Sequence, residues 1–192
     1  MSEKIVNTAL TIAGSDSGGG AGIQADLKTF SALGVFCKTI ITSITSQNSF
    51  GVRSTYDLPS DVVEQQLRAI SEDKKCQAVK TGMLGNEETV CLVAKMIKKS
   101  RLKNVVVDPV VLASSGKRLL TRSGVEALKK HLLPLASLVT PNIKEAELLS
   151  GVKIKSESDR KKAARIILKT GVKATLITGG HLKGNPEDLL LD

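Results

Sequence analysis

The sequence predicts an α/β protein, a three-layer α/β/α sandwich around a mostly parallel central sheet. Three observations carry that expectation. Short apolar runs alternate along the chain with segments whose apolar residues recur at helical spacing. Several runs, Asn104–Asp108 among them, are rich in Val and Ile on consecutive residues, as in strands covered on both faces. A glycine-rich turn, Gly14-Ser15-Asp16-Ser17-Gly18-Gly19-Gly20-Ala21-Gly22, joins the first run to the first amphipathic segment. Glycines admit a ligand close to the backbone there, and the amides opening the helix point at a polar or anionic group.

The elements follow in order. The first strand is expected at Ala9–Ala13 and the first helix at Ile23–Leu33, where Ile23, Leu27, Phe30 and Leu33 share one face. Strand Thr39–Thr45 precedes helix Ser60–Ser71, and strand Ala78–Thr81 precedes helix Glu87–Lys99. Strand Asn104–Asp108, helix Ser123–Leu133 and strand Ser137–Thr140 come next. Helices Lys144–Ser150 and Asp159–Lys169 lead to strand Ala174–Thr178. Asn86, Thr121 and Ser158 suit helix N-caps, while Gly151 and Gly171 suit helix ends. Strands separated by helices imply right-handed βαβ units. With no internal repeat or linker, residues 1–192 read as one domain.

Bulk composition narrows the function classes. A hydrophobic fraction of 41% suits a folded chain, and 2% aromatics with no Trp leaves Ile, Leu, Val and Ala to build the core. No apolar run approaches the roughly 18 residues of a membrane span, and the N-terminus lacks a signal-peptide pattern. A cytoplasmic protein without a membrane partner is expected. The three cysteines form no zinc or C-x-x-C pattern and read as reduced thiols; two histidines disfavour a histidine-rich metal centre. The net charge of +9 favours anionic partners, either nucleic acid or a phosphorylated small molecule. Its basic clusters, such as Lys95, Lys98, Lys99 and Arg101, fall mainly on expected helices and read as solvated faces. With so few aromatics to stack bases, no nucleic-acid partner is expected.

The glycine-rich turn is neither of two familiar phosphate motifs. G-x-G-x-x-G would require Gly at Ile23, and no G-K-[ST] follows. It is a site candidate whose ligand the glycines do not name, or a turn kept for strand-to-helix geometry. In such sheets the ligand lies beyond the carboxyl ends of the strands. Polar or glycine-rich segments gather at those ends: the first turn, Ser46-Gln47-Asn48, Gly82-Met83-Leu84-Gly85, Asp108-Pro109-Val110, Pro141-Asn142 and Gly179-Gly180-His181.

On these residues the chain resembles the hydroxymethylpyrimidine and phosphomethylpyrimidine kinases of thiamine synthesis, within the ribokinase-like superfamily. The resemblance runs along essentially the whole chain. It rests on Ala9–Gly34, Ser46–Asn48, Lys80–Leu84 (K-T-G-M-L), Val106–Val110 (V-V-D-P-V), Thr140–Ala146 (T-P-N-x-x-E-A) and Thr178–His181 (T-G-G-H). It implies ATP and Mg2+ as cofactors and transfer of the γ-phosphate to a pyrimidine hydroxymethyl group, then to the monophosphate. It also implies a homodimer, since the fold commonly pairs.

Residue by residue, Gln47 is expected to read the pyrimidine, because a side-chain amide both donates and accepts. The alternative is a capped strand end. Gly14 and Ala21 would bring backbone against the ring, and Met83 and Val110 would supply apolar walls, although Met83 also suits plain core. Asp16 and Asp26 are candidates to orient the substrate or its loop, with Asp26 expected in the first helical turn. The resemblance places Asp108 and Asn142 on the nucleotide side, and Glu145 with Asp108 on the magnesium side. Ordinary helix capping by Asn142 and Glu145 is the competing reading. Gly179 and Gly180 would lie near the nucleotide, with His181 structural.

The family pattern continues into a G-T-G-C element that forms the anion hole and carries the residue acting on the substrate hydroxyl. The sequence runs to Leu189-Leu190-Leu191-Asp192 without that element. The resemblance therefore puts the family's base and anion hole beyond Asp192, and no catalytic residue is assigned within residues 1–192. The fold is expected to be C-terminally incomplete, with little activity of its own. Leu189–Leu191 reads as a strand left with an unpaired edge. The competing functions are a pyridoxine or pyridoxal kinase and a non-catalytic pyrimidine-binding domain.

Overall fold

The computed structural model describes residues 6–73, 76–113, 115–179 and 187–192. Its centre is β1 (Thr8–Asp16), whose apolar residues are buried on both sides. Leu10 and Ile12 point into a core shared with helices, while Thr11 on the opposite face donates to Asp26 Oδ2 at 2.5 Å. Alternation along one strand thus serves two layers at once.

The remaining strands are β2 (Phe36–Asn48), β3 (Gly51–Asp57), β4 (Ala78–Thr81), β5 (Val105–Val107), β6 (Leu138–Val139), β7 (Thr175–Ile177) and β8 (Leu189–Leu191). They form one sheet in the order β3-β2-β1-β4-β5-β6-β7-β8. The inner six strands run parallel, and β3 and β8 are antiparallel edges. The helices are α1 (Gly22–Ala32), α2 (Ser60–Ser71), α3 (Glu87–Lys99), α4 (Arg122–Ala127), α5 (Ile143–Ser150) and α6 (Glu157–Leu168).

The chain winds from β1 to β2 in one direction and from β4 to β7 in the other. Right-handed crossovers therefore put α1 on one face and the later helices on the other. The crowded face buries Val63 and Leu67 of α2, Val90, Val93 and Ile97 of α3, and Ala163 and Ile167 of α6 against Ile12, Val79, Val107 and Ile177. On the α1 face the cover is thinner among the described residues: α1 itself buries no residue, and Leu190 is 61% exposed.

The α/β fold with a mostly parallel sheet is the one expected, and α2, α3 and β4 have the expected bounds. Differences have local causes. β3 gives no sequence signal because it is a polar edge strand, half-buried at most, with no apolar run to mark it. Ser46, Gln47 and Asn48 are not a loop; pairing with β3 extends β2 through them. Leu189–Leu191 does form a strand, paired with β7 on one side. The helix expected at Ser123–Leu133 is regular only to Ala127, then passes through a π turn and a 3₁₀ turn at Pro134, which has no N–H to continue it. α6 is capped by Ser156, not Ser158, because Asp159 accepts from Ser156 N and Ser156 Oγ accepts from Asp159 N. Asn86 and Thr121 cap as expected, and Gly151 ends α5 in the left-handed conformation.

Ile12 is wholly buried in the central strand. Ile12→Ala is expected to cost about 2–5 kcal/mol of stability, read from urea unfolding with an unchanged m-value.

Candidate functional site

The carboxylate of Asp16 organises the first turn. It is 4% exposed at the end of β1, and Oδ1 accepts from Gly18 N at 2.7 Å. Oδ2 accepts from Gly20 N at 2.9 Å and Ala21 N at 2.8 Å. Gln24 reaches back from α1, accepting from Asp16 N at 2.8 Å and donating to Ser15 Oγ at 2.7 Å. Gly22 closes the turn with φ +58°, and a Cβ there would overlap the Gly14 carbonyl oxygen. Of the two roles open to Asp16, the geometry builds the one that orients the loop. Because the turn is held from Asp16, α1 starts at Gly22 without a side-chain cap, which puts Asp26 in the second helical turn rather than the first.

Beside this turn lies a cavity of about 260 Å3. Gly14, Asp16, Ala21, Asp26, Gln47, Met83 and Val110 all line it, together with Thr45, Lys80, Asp108 and Leu119. Gln47 reaches it through an irregularity: the β2–β3 register shifts between Ser46 and Gln47, leaving Arg53 as the extra residue. Its backbone is anchored on both sides by Ser17 Oγ, at 3.0 Å to N and 2.8 Å to O. Its side-chain amide has no hydrogen-bond partner among the described residues, so donor and acceptor are unspent. Met83 is 7% exposed, and its carbonyl accepts from Thr42 Oγ1 at 2.6 Å. Its sulfur lies 3.2 Å from the place a Cβ on Gly14 would take, so Met83 is both core and cavity wall.

One part of the cavity is charged. Lys80 Nζ lies 3.0 Å from Asp26 Oδ2 and 3.7 Å from Asp108 Oδ2. Burial holds the Asp108 carboxyl above the usual carboxylate range, against the opposing pull of Lys80. Lys80 is not among the site residues the sequence singles out. Its signal is a charge inside the buried strand Ala78-Val79-Lys80-Thr81, where an unpaired ammonium would not persist.

Asn142 and Glu145 form a complete capping box. Asn142 Oδ1 accepts from Glu145 N at 3.0 Å and Glu145 Oε2 accepts from Asn142 N at 3.0 Å. Glu145 Oε1 also accepts from Val111 N at 3.2 Å, tying α5 to the segment that carries Val110. Glu145 is 3% exposed, and burial lifts its carboxyl to about 7 against the two backbone amides that favour its charge. Both oxygens therefore face the protein, and of Glu145 and Asp108 it is Asp108 that lines the cavity. Among the described residues no cluster of three His, Cys, Asp or Glu is arranged to hold a metal.

Gly179 is not on the cavity lining. Gly179 N donates to Asp188 Oδ1 at 2.9 Å, and a Cβ on Gly179 would overlap the Glu187 carbonyl. That approach of two segments accounts for the glycine without a nucleotide. Gly180 and His181 lie outside the described residues. Asp192, past which the resemblance puts the base and anion hole, follows the edge strand β8 and is exposed. It does not line the cavity, and the carboxylates that do are Asp16, Asp26 and Asp108.

Asp16→Ala leaves three loop amides without their acceptor and is expected to cost about 1–3 kcal/mol in thermal unfolding. Glu145 binds its proton more tightly when folded than at the ordinary value of 4.5. Between those two values the native state holds the extra proton, so stability falls as pH rises from about 4.5 to about 7. Glu145→Gln is expected to flatten that part of the stability–pH curve.

The chain matches the family described as phosphomethylpyrimidine kinase over residues 16–192. It is 49% identical to a hydroxymethylpyrimidine/phosphomethylpyrimidine kinase of Rhizobium meliloti (strain 1021), covering 96% of this chain and 70% of that one. Its structure is similar to that of a phosphomethylpyrimidine kinase from Clostridium difficile 630, with TM-score 0.89 and 46% identity over 96% of this chain and 80% of that one. It is also similar to the pyridoxal kinase of Staphylococcus aureus in complex with pyridoxal, with TM-score 0.90 and 39% identity over 98% and 70%. The chain spans 65–72% of the length of six single-function curated relatives, and 32–38% of two bifunctional ones. No helix among the described residues is long and apolar enough to cross a membrane. By sequence and by structure alike, the chain belongs to the phosphomethylpyrimidine kinase family.

Proposed function

We propose that this chain carries the substrate pocket of a kinase that moves the γ-phosphoryl group of ATP onto 4-amino-5-hydroxymethyl-2-methylpyrimidine, then onto its monophosphate. The observation that carries the reading is the unspent amide of Gln47 on a cavity walled by Met83 and Val110. Its NH2 can donate to a ring nitrogen while its oxygen accepts from the neighbouring amino group. Gly14 and Ala21 let backbone approach the ring, and Asp16 keeps that backbone in place. The hydroxymethyl group then points to the part of the cavity lined by Lys80, Asp26 and Asp108.

In the transfer, the bond from the γ-phosphorus to the bridging oxygen breaks and one to the hydroxymethyl oxygen forms, with ADP leaving and the hydroxyl proton released to solvent. Such chemistry is largely positioning and charge neutralisation. Magnesium, bound with ATP, would neutralise the phosphate oxygens. Asp108 fits it as an oxygen donor through bound water, whereas Glu145 fits behind it, holding Asn142 and Val111. We assign no base or anion hole to the described residues. A cytoplasmic setting agrees with three free cysteines. Pairing of two copies belongs to the same proposal, and light scattering would read twice the 20.4 kDa chain mass.

Calorimetry with the hydroxymethylpyrimidine and with pyridoxal tests the pocket. Tighter binding of the pyrimidine is expected, weakened about 10- to 100-fold in Gln47→Ala. Equal or tighter binding of pyridoxal, or no loss in Gln47→Ala, would overturn it. Phosphorylated product with ATP, detected by mass, would separate a kinase from a binding domain.

A further inference from the structure

A second, larger cavity of about 530 Å3 adjoins the first. The two share four lining residues: Ala21, Gln47, Val110 and Leu119. The second is otherwise lined by the β2–β3 hairpin, with Phe50 and Val52 beside the polar Asn48 and Ser49, and by the segment after β5, with Leu112 and Ser115. Phe50 is 91% exposed at the hairpin tip, and the Asn48 side chain accepts from its backbone N at 3.0 Å. A space of mixed polarity, with an apolar side formed by Phe50, Val52 and Leu112, therefore adjoins the residues that would read the ring.

The chemistry of the ring says which substituent would meet that space. In 4-amino-5-hydroxymethyl-2-methylpyrimidine, carbons 2 and 5 lie opposite one another. When the 5-hydroxymethyl group faces Lys80 and Asp108, the substituent on carbon 2 points the opposite way. A Gln47 amide paired with ring nitrogen 3 and the 4-amino group sits beside that carbon. The shared wall of Ala21, Gln47, Val110 and Leu119 then lies where the 2-substituent ends.

From this juxtaposition we infer that the pocket accepts 5-hydroxymethylpyrimidines with an apolar group larger than methyl at carbon 2, housed between Phe50, Val52 and Leu112. The inference rests on the reading given under Proposed function. It adds a substrate class to the pocket: 2-alkylpyrimidines, with specificity set at carbon 4 by Gln47 and left broad at carbon 2. Moving two further methylenes out of water is worth up to about tenfold in affinity.

The test is calorimetry of this chain with two probes, the 2-methyl compound and its 2-propyl analogue. The expected result is propyl binding equal to or up to about tenfold tighter than methyl binding. Val52→Phe, which fills the second cavity, should weaken the propyl compound about tenfold and leave the methyl compound within about twofold. Phe50→Ala, at an exposed tip where folding is not at stake, should remove a few-fold of propyl affinity only. Methyl binding with propyl binding about 100-fold weaker would overturn the inference and leave the proposed function standing. Equal losses for both compounds in both variants would overturn it as well. Binding of neither compound to the unaltered chain would overturn the proposed function, and this inference with it.

Discussion

The site depends on one carboxylate satisfying a loop that has no secondary structure of its own. The turn after β1 exposes successive backbone amides that neither sheet nor helix can pair. Asp16 collects three of them, on Gly18, Gly20 and Ala21. Without that acceptor these part-buried N–H groups would lose their partner inside the protein. The glycine spacing follows from the same fold-back, since Gly22 passes too close to Gly14 O for any side chain. A loop held this way presents Gly14 and Ala21 at fixed positions, and the rest of the cavity can be built against it.

The sheet supplies the rest through its direction. Inner strands that run parallel bring their carboxyl ends to one border, so residues far apart in sequence meet there. Thr42 Oγ1 ties β2 to the Met83 carbonyl after β4, and Ser43 Oγ ties β2 to Asp57 at the end of β3. Lys80 joins β4 to α1 through Asp26 and to the end of β5 through Asp108. These are partly buried ion pairs whose solvation cost is offset only while the partners remain together. Specific geometry at the cavity floor is their clearest consequence.

Much of this was legible in the sequence because it rests on local rules. The strand–turn–helix junction, the helix spacing of α2 and α3, and the caps at Asn86 and Thr121 are each written within a few residues. The cavity walls were legible because strand ends in a parallel sheet converge. What escaped depends on pairing at a distance. β3 is a strand only because the end of β2 accepts it, and its polar residues give no periodic signal. Lys80 resembles a misplaced charge until Asp26 and Asp108 arrive from other elements. The capping box at Asn142 and Glu145 was visible, but its bond to Val111 was not, since that contact joins positions 34 apart.

That bond explains why a buried carboxyl with a raised affinity for protons is kept so close to the site. Val111 is wholly buried, and its amide points away from any strand partner. An apolar residue in place of Glu145 would leave the Val111 and Asn142 amides unpaired, at about 1–3 kcal/mol each. Glu145 accepts both bonds with its two carboxyl oxygens. Those bonds set the N-terminus of α5 against the segment following Asp108. Val110 precedes the anchored amide and forms part of the wall between the two cavities. Glu145 is thus best understood as a positioning residue, holding the Val110 wall from behind while Asp108 lines the cavity itself.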